Sequence, residues 1–493
     1  MKRITKLLFI GIALLGMVIS CGGGYDGGYD AGPDLLYIQV TPHKTTYDYG
    51  DQINKSTDLT VIAYFSDGSS KTLGSYGYDV SPSQLNTAGT VTITVTYTYI
   101  GNNYSKVQSK TATYTVTVKP KVNVQSIRVQ QLKTKYYVGE KVEKADLVVT
   151  AKFDDGTSKK VSDYTINGNY FNVEFSENSI GKVSREISYG GKEVTIYVRV
   201  FPKEVGRFVR IPSYGSSTSF SLGSKGPSAG TREVPVANIV LSAFQICDHE
   251  VTVGEFKGVF ERLPTTTSYA FGTNEENRIN AAVYGVNWYQ AIAYCNKLSI
   301  IDGFTPCYSV RVGGVEVDWA NLSFTEIPKE NDANWNNATC NWTANGYRLP
   351  TEAEWECAAR GDTYAVDTTS DLWAGTDKTA QVGNYAWFTT NSDGRVKEVR
   401  KKQANDYGLY DMSGNVAEWC WDMCDDYSLY STTSTNDPKG ATTGKYRILR
   451  GGDASSEKAK IRITARGADI PEGSKAIGLI LGKPGLRLVR KAQ

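Results

Sequence analysis

Gly346-Tyr347-Arg348-Leu349-Pro350-Thr351-Glu352-Ala353-Glu354-Trp355-Glu356 is the stretch on which the fold of the C-terminal half turns. Thr351 can cap a helix start, and Glu354, three residues on, can answer it as in a capping box. Upstream, Val286-Asn287-Trp288-Tyr289-Gln290-Ala291-Ile292-Ala293-Tyr294-Cys295-Asn296-Lys297-Leu298-Ser299 has the apolar spacing of one short amphipathic helix. Downstream come Tyr407-Gly408-Leu409-Tyr410-Asp411-Met412-Ser413-Gly414-Asn415-Val416-Ala417-Glu418-Trp419, then Leu449-Arg450-Gly451-Gly452, then Gly485-Leu486-Arg487-Leu488-Val489. From about Val205 onward tryptophan, cysteine and asparagine become frequent, which sets this half apart from what precedes it.

The preceding region is an internal repeat. Asp58-Leu59-Thr60-Val61-Ile62-Ala63-Tyr64-Phe65-Ser66-Asp67-Gly68 is answered by Asp146-Leu147-Val148-Val149-Thr150-Ala151-Lys152-Phe153-Asp154-Asp155-Gly156, 88 residues later. Each copy closes on alternating β-branched and polar residues, Thr113–Val118 and Val194–Val200, the pattern of half-buried strands. The Asp67-Gly68 and Asp155-Gly156 pairs predict tight hairpins with type I′ turns. The copies, residues 35–119 and 120–202, resemble bacterial immunoglobulin-like domains and imply one small β-sandwich each. Neither contains a metal-spaced acidic cluster or a nucleophile with a base. They are expected to act as a stalk, with direct adhesion through their loops as the alternative.

The chain opens on basic Lys2, Arg3 and Lys6, continues with an apolar run from Leu7 to Ile19, and reaches Ser20-Cys21. This is the layout of a secretory signal over residues 1–20, too short to span a bilayer, for which about 20 apolar residues are needed. Cysteine at the cut resembles the lipobox of bacterial lipoproteins. The resemblance implies acylation of Cys21 and stable anchoring by several acyl chains. The lipoprotein is expected at the outer membrane or the cell surface. Residues 21–34, glycine-rich and unpatterned, read as a flexible spacer.

At 493 residues the chain has room for about three domains. Its net charge of +2, from 54 basic and 52 acidic residues, excludes a nucleic-acid partner that needs a basic face. Abundant tyrosine (32) and glycine (48) favour β-rich, turn-rich domains. Beyond Cys21, Cys247, Cys295, Cys307, Cys340, Cys357, Cys420 and Cys424 all lie in the C-terminal half. Their odd number leaves at least one unpaired, and spacing does not determine the connectivity. Histidine occurs only at His43 and His249.

The ordered motifs of residues 205–493 are similar to those of the sulfatase-modifying-factor family, founded on the formylglycine-generating enzyme. The resemblance implies an α+β variant of the C-type lectin fold behind the two all-β sandwiches. Family enzymes hold copper(I) between two cysteines downstream of Arg-Gly-Gly, because copper(I) prefers soft thiolates. Here Ser456 and Ile461 stand at those positions, Asp453-Ala454 replaces a Ser-Trp pair, and Ala417 replaces a pocket tryptophan. Neither copper nor formylglycine chemistry is therefore expected. A related iron-dependent branch needs several histidines, and His249, expected to be structural, is alone in this domain.

The resemblance further implies a structural calcium ion held by Asp411, Gly414, Val416 and Glu418, with a weaker second site at Asn384, Tyr385 and Asp393. The stretch from Asp453 to Lys483 departs most from the family pattern, between intact flanks. Retroelement-diversified bacterial receptors use the same fold and the same C-terminal segment. The expected function is thus ligand or partner binding by a catalytically inactive domain, for a protein or glycan, with Asp453, Ser456 and Glu457 as candidate contacts. The alternatives are drift after loss of activity, an enzyme of altered chemistry in which Ser456 lacks a histidine base, and a structural envelope or adhesion protein acting through its sandwiches.

Overall fold

In the computed structural model, residues 32–492 are described apart from 102–106, 168–173, 204, 214–219, 234–235, 265–278, 363–368, 426–435, 474–476 and 479–483. The signal segment, Cys21 and most of the spacer lie outside the described residues. Two compact units result, residues 1–123 and 124–493. Among the described residues no helix is long and apolar enough to cross a membrane.

The first unit is a sandwich. One sheet orders its strands Leu35–Pro42, Leu59–Phe65, Ser70–Thr72, and the other Thr46–Tyr47, Val107–Val118, Gly89–Ile100, Asp79–Ser81. Leu59–Phe65 alternates buried and half-buried residues along its length, the period-two pattern of a strand with one face in the core. The repeat recurs with the same topology: Val124–Gln131, Leu147–Phe153 and Ser158–Val161 face Thr165–Asn167, Gly181–Tyr189, Lys192–Phe201 and Lys135–Tyr137. Even the short parallel strand at the sheet edge is repeated, carrying a buried tyrosine each time. Tyr47 donates to Asp58 at 3.0 Å, and Tyr136 to Asp146 at 2.9 Å. Burial and the adjacent carboxylate push both phenols up, so each bond stays intact at any ordinary pH.

The hairpin turns differ from expectation. A type I′ turn needs positive φ at both central residues, but only the glycines, Gly68 at 83° and Gly156 at 85°, have it. The amide of Gly68 donates to Phe65 O and that of Phe65 to Ser69 O, with the same pair of bonds between Phe153, Gly156 and Thr157. This is a type I turn followed by a left-handed glycine in a bulge. Asp67 and Asp155 select it, because each carboxylate accepts the amide two residues on, at 2.9 Å.

The C-terminal domain brings its two ends together in one sheet, with Phe244–Cys247 between Phe208–Ile211 and Val489–Lys491. A second sheet orders Glu418–Cys424, Tyr446–Arg450, Gly467–Asp469 and Ile477–Gly478. Helix α1 (Val253–Phe260), helix α2 (Trp288–Ile301) and the helix Glu352–Arg360 pack around them. The helix over Glu352–Arg360 starts as its sequence predicts: Thr351 Oγ1 accepts from Glu354 N, and Glu354 accepts from Thr351 N at 2.9 Å. α2 begins within the segment expected for it, capped by Asn287, and runs two residues past Ser299 to Ile301.

The second sandwich does not behave as a separate bead on a stalk. Phe201, at the end of its last strand, is 1% exposed and belongs to the core of the C-terminal domain, beside Phe256, Trp288 and Tyr294. Gly258 of α1 admits the ring, since a Cβ there would lie 2.6 Å from it. Arg199 Nη1 donates to the C-terminal carbonyls of α1 at Gly258 and Val259, where a cation also complements the helix dipole. Lys135 pairs with Asp302 at 2.5 Å beyond the end of α2.

Candidate functional site

The strand Tyr446–Arg450 leads into the segment that carries Ser456 and Ile461, the positions that the sequence resemblance matches to copper-binding cysteines. Arg450 is fully buried and donates to Glu352, Glu356 and the carbonyl of Ile463. Past Gly451 and Gly452 the chain turns on Asp453, whose Oδ1 accepts from Ser455 N (3.0 Å), Ser455 Oγ (2.8 Å) and Ser456 Oγ (2.7 Å). Ser456 Oγ in turn accepts the amide of Asp453. Asp453 and Ser456 are thus buried and locked into one turn, whereas Glu457 is exposed. Of the three candidate ligand contacts, only Glu457 stands free on the surface. Ser456 Oγ has a carboxylate beside it, but His249 lies elsewhere, next to Cys247, with 3.4 Å between Sγ and Nδ1.

Ile461 is fully buried against Trp373, Val382, Ala386 and Phe388. A hydroxyl engaged in a turn and an isoleucine packed among aromatics supply no soft donor, so these residues do not fit copper(I). Ala417 is core, in one cluster with Trp288, Trp419, Leu449 and Leu486.

The calcium residues expected from the motif surround a different, fully enclosed feature. Asp411 is 2% exposed with φ 58°; its Oδ2 accepts the amide of Arg400 at 2.8 Å, and its Oδ1 has no partner. Glu418 is held by Arg487 at 2.8 Å and by the indole of Trp355 at 2.7 Å. Gly414 and Val416 occupy the same loop, both buried. Into this place comes a residue that sequence reading missed. Glu250 is 0% exposed and neither of its oxygens has a hydrogen-bond partner. Burial first, and then the charge of Asp411, push its carboxyl well above the usual range; burial likewise raises Asp411 to about 6. The amide nitrogen of Asn415 is also unpartnered. Two buried carboxylates with unsatisfied oxygens are costly unless a proton neutralises them or a cation joins them. Glu250 follows the buried strand Phe244–Cys247, far in sequence from the loop, and so carries no local signal.

Of the second calcium set, Asn384 and Asp393 both lie on the surface. Asp393 is an exposed left-handed residue 3.7 Å from Lys397, and Asn384 is exposed on a short helix. A further cluster, Cys247, Asp248 and His249, places ligand-type atoms within 4.8 Å of one another. Asp248, however, is engaged by Arg400 at 2.7 and 2.8 Å. Burial also keeps the Cys247 thiol protonated and the imidazole neutral, a hydrogen-bonded core arrangement in keeping with a structural His249. All seven described cysteines are thiols in this structure.

Comparison with known proteins places these features. Over 196 residues the chain is 36% identical to the chaperone protein LppX of Paenibacillus barcinonensis, covering 38% of this chain and 64% of that protein. It therefore spans a little under two thirds of that relative's length. It is 29% identical over 300 residues to the formylglycine-generating enzyme of Thermomonospora curvata, covering 56% of this chain and 92% of the enzyme. Among solved structures, variable protein 1 of Treponema denticola is 35% identical, covering 63% of this chain and 99% of that one, with a TM-score of 0.49. Residues 40–118 and 129–200 match the bacterial Ig-like domain (group 3). Residues 203–492, more than half of the chain, match the sulfatase-modifying factor enzyme 1-like domain, and to that family the protein belongs.

Proposed function

We propose that this protein is a lipid-anchored surface lipoprotein whose sulfatase-modifying-factor domain no longer catalyses formylglycine formation and instead binds a protein or glycan ligand. The observation that carries the loss of activity is the replacement of both copper-binding positions by Ser456, closed into a turn with Asp453, and Ile461, packed among aromatics. The Asp453–Lys483 segment, remodelled between intact flanks, supports binding at this face, and Glu457 is its exposed carboxylate. The test has two arms. Purified full chain with copper(I) should leave a sulfatase-derived cysteine peptide unmodified by mass spectrometry, while a formylglycine-generating enzyme converts it. On glycan and protein arrays the same chain should give a specific hit that weakens with Glu457→Lys. Aldehyde formation would overturn the first half of the reading, and blank arrays the second. Anchoring is tested by palmitate labelling of cells, which Cys21→Ser should abolish.

The domain is also proposed to hold a structural calcium ion. The orphaned oxygens of Asp411 and Glu250 fit a hard cation, to which the carbonyls of Gly414 and Val416 would add, while Glu418 is engaged by Arg487 and Trp355. Calcium would order a loop whose backbone takes left-handed φ at Asp411, Gly414 and Asn415. Calcium at 100 times its Kd is expected to stabilise the fold by about 2.7 kcal/mol. Differential scanning calorimetry with calcium and with chelator would show the shift. Asp411→Asn should remove most of it, and Glu250→Gln should raise stability in chelator while weakening the response to calcium. Identical melting curves in calcium and in chelator would count against the site.

A further inference from the structure

Where the second sandwich meets the C-terminal domain, a cleft of about 490 Å³ opens that belongs to neither the remodelled face nor the calcium loop. Lys182 and Arg199 of the sandwich form one wall; Arg262, just past α1, and Lys297 of α2 form another. Glu261 is the sole carboxylate among the lining residues, so four cations face one anion. That anion lies 3.3 Å from Arg199 and is 43% exposed. Lys297 is buried and has no acidic partner at contact distance; its ammonium donates to the carbonyls of Trp319 (3.1 Å), Ala320 (3.1 Å) and Leu322 (2.7 Å). Burial, and then the charge of Arg199, lower it to about 8, against the opposing charges of Glu261, Asp318 and Glu326.

The remaining lining is of two further kinds. Asn321, Ser323 and Thr325 contribute neutral amide and hydroxyl groups, and Phe260 and Phe324 contribute aromatic surface. Positive charge alone would suit any anion. Combined with neutral hydrogen-bonding groups, it matches a ligand that carries a carboxylate and several hydroxyls.

We propose that this cleft is a second binding site, for a carboxylate-bearing sugar, with Lys182, Arg199 and Arg262 meeting the carboxylate and Asn321, Ser323 and Thr325 meeting the hydroxyls. Such a site requires both modules, and it explains a use for the second sandwich beyond spacing. It is independent of the ligand reading of the Asp453–Lys483 face, and either stands if the other fails.

The experiment is ligand-observed NMR titration of the full chain in detergent with D-glucuronate, N-acetylmuramate, D-glucose and inorganic phosphate. Binding of either acidic sugar, with glucose and phosphate at least tenfold weaker, is the expected result, and the better of the two identifies the source of the sugar. Lys182 and Arg262 are exposed, so the double variant Lys182→Glu/Arg262→Glu should melt like the parent while weakening the sugar at least tenfold. Lys110→Glu on the first sandwich should change nothing. Added salt should weaken binding, as expected for attraction between partly exposed charges. The proposal is overturned if neither acidic sugar binds, if glucose or phosphate binds as well, or if the double charge reversal leaves affinity within about twofold.

Discussion

Arg450→Leu is expected to destabilise the C-terminal unit by about 3–5 kcal/mol, enough to leave much of it unfolded at physiological temperature. Arg450 sits in the Arg-Gly-Gly motif by which the family is recognised, yet its guanidinium reaches no open surface. It is fully buried, joining Glu352 at 2.7 Å to Glu356. Arg466 holds the other side of Glu352 at 2.7 Å, and Arg360 holds Glu356 at 2.7 Å, so five charges share one dry network. Leucine would leave each glutamate with one arginine in place of two and the Ile463 carbonyl without its donor, and these lost buried hydrogen bonds dominate the cost. Urea melts of the full chain, followed by tryptophan fluorescence, would measure it. Glu356→Gln keeps the shape but leaves Arg360 and Arg450 facing a neutral amide, so it should also destabilise the unit. A melting point for Arg450→Leu within a few degrees of the parent would show that the network contributes little.

Phe201→Ala is expected to cost about 3–5 kcal/mol, as for other buried aromatic truncations. The side chain belongs to the sandwich in sequence and to the C-terminal core in space. Its removal leaves a cavity against Phe256 and Gly258 that rigid helix packing cannot close. The same geometry makes residues 205–493 a poor folding unit. Cut there, the domain loses Phe201 and the Arg199 cap on α1, exposing its apolar surface to water. Residues 124–493 should melt cooperatively by calorimetry, and residues 205–493 should melt lower or aggregate. Equal melting temperatures for the two would refute a shared core. A full-chain Phe201→Ala variant tests the contact without truncation.

Much of this was legible in the sequence because it is local. The alternating strands that close both sandwiches, the Thr351–Glu354 capping box and the helix that follows Asn287 each follow from residues a few positions apart, where period and hydrogen-bond reach dictate structure. The ancestry of residues 205–493, and the missing thiols at Ser456 and Ile461, were equally plain, since motif order survives without coordinates. Only the tertiary structure decided the rest. It showed Glu250 beside Asp411 across 161 residues of chain, Asp453 and Ser456 turned inward on each other, and the second sandwich fused to α1 through Phe201. Burial and unsatisfied oxygens are properties of what surrounds a side chain. Those surroundings are assembled from strands and helices distant in sequence, so no local pattern announces them.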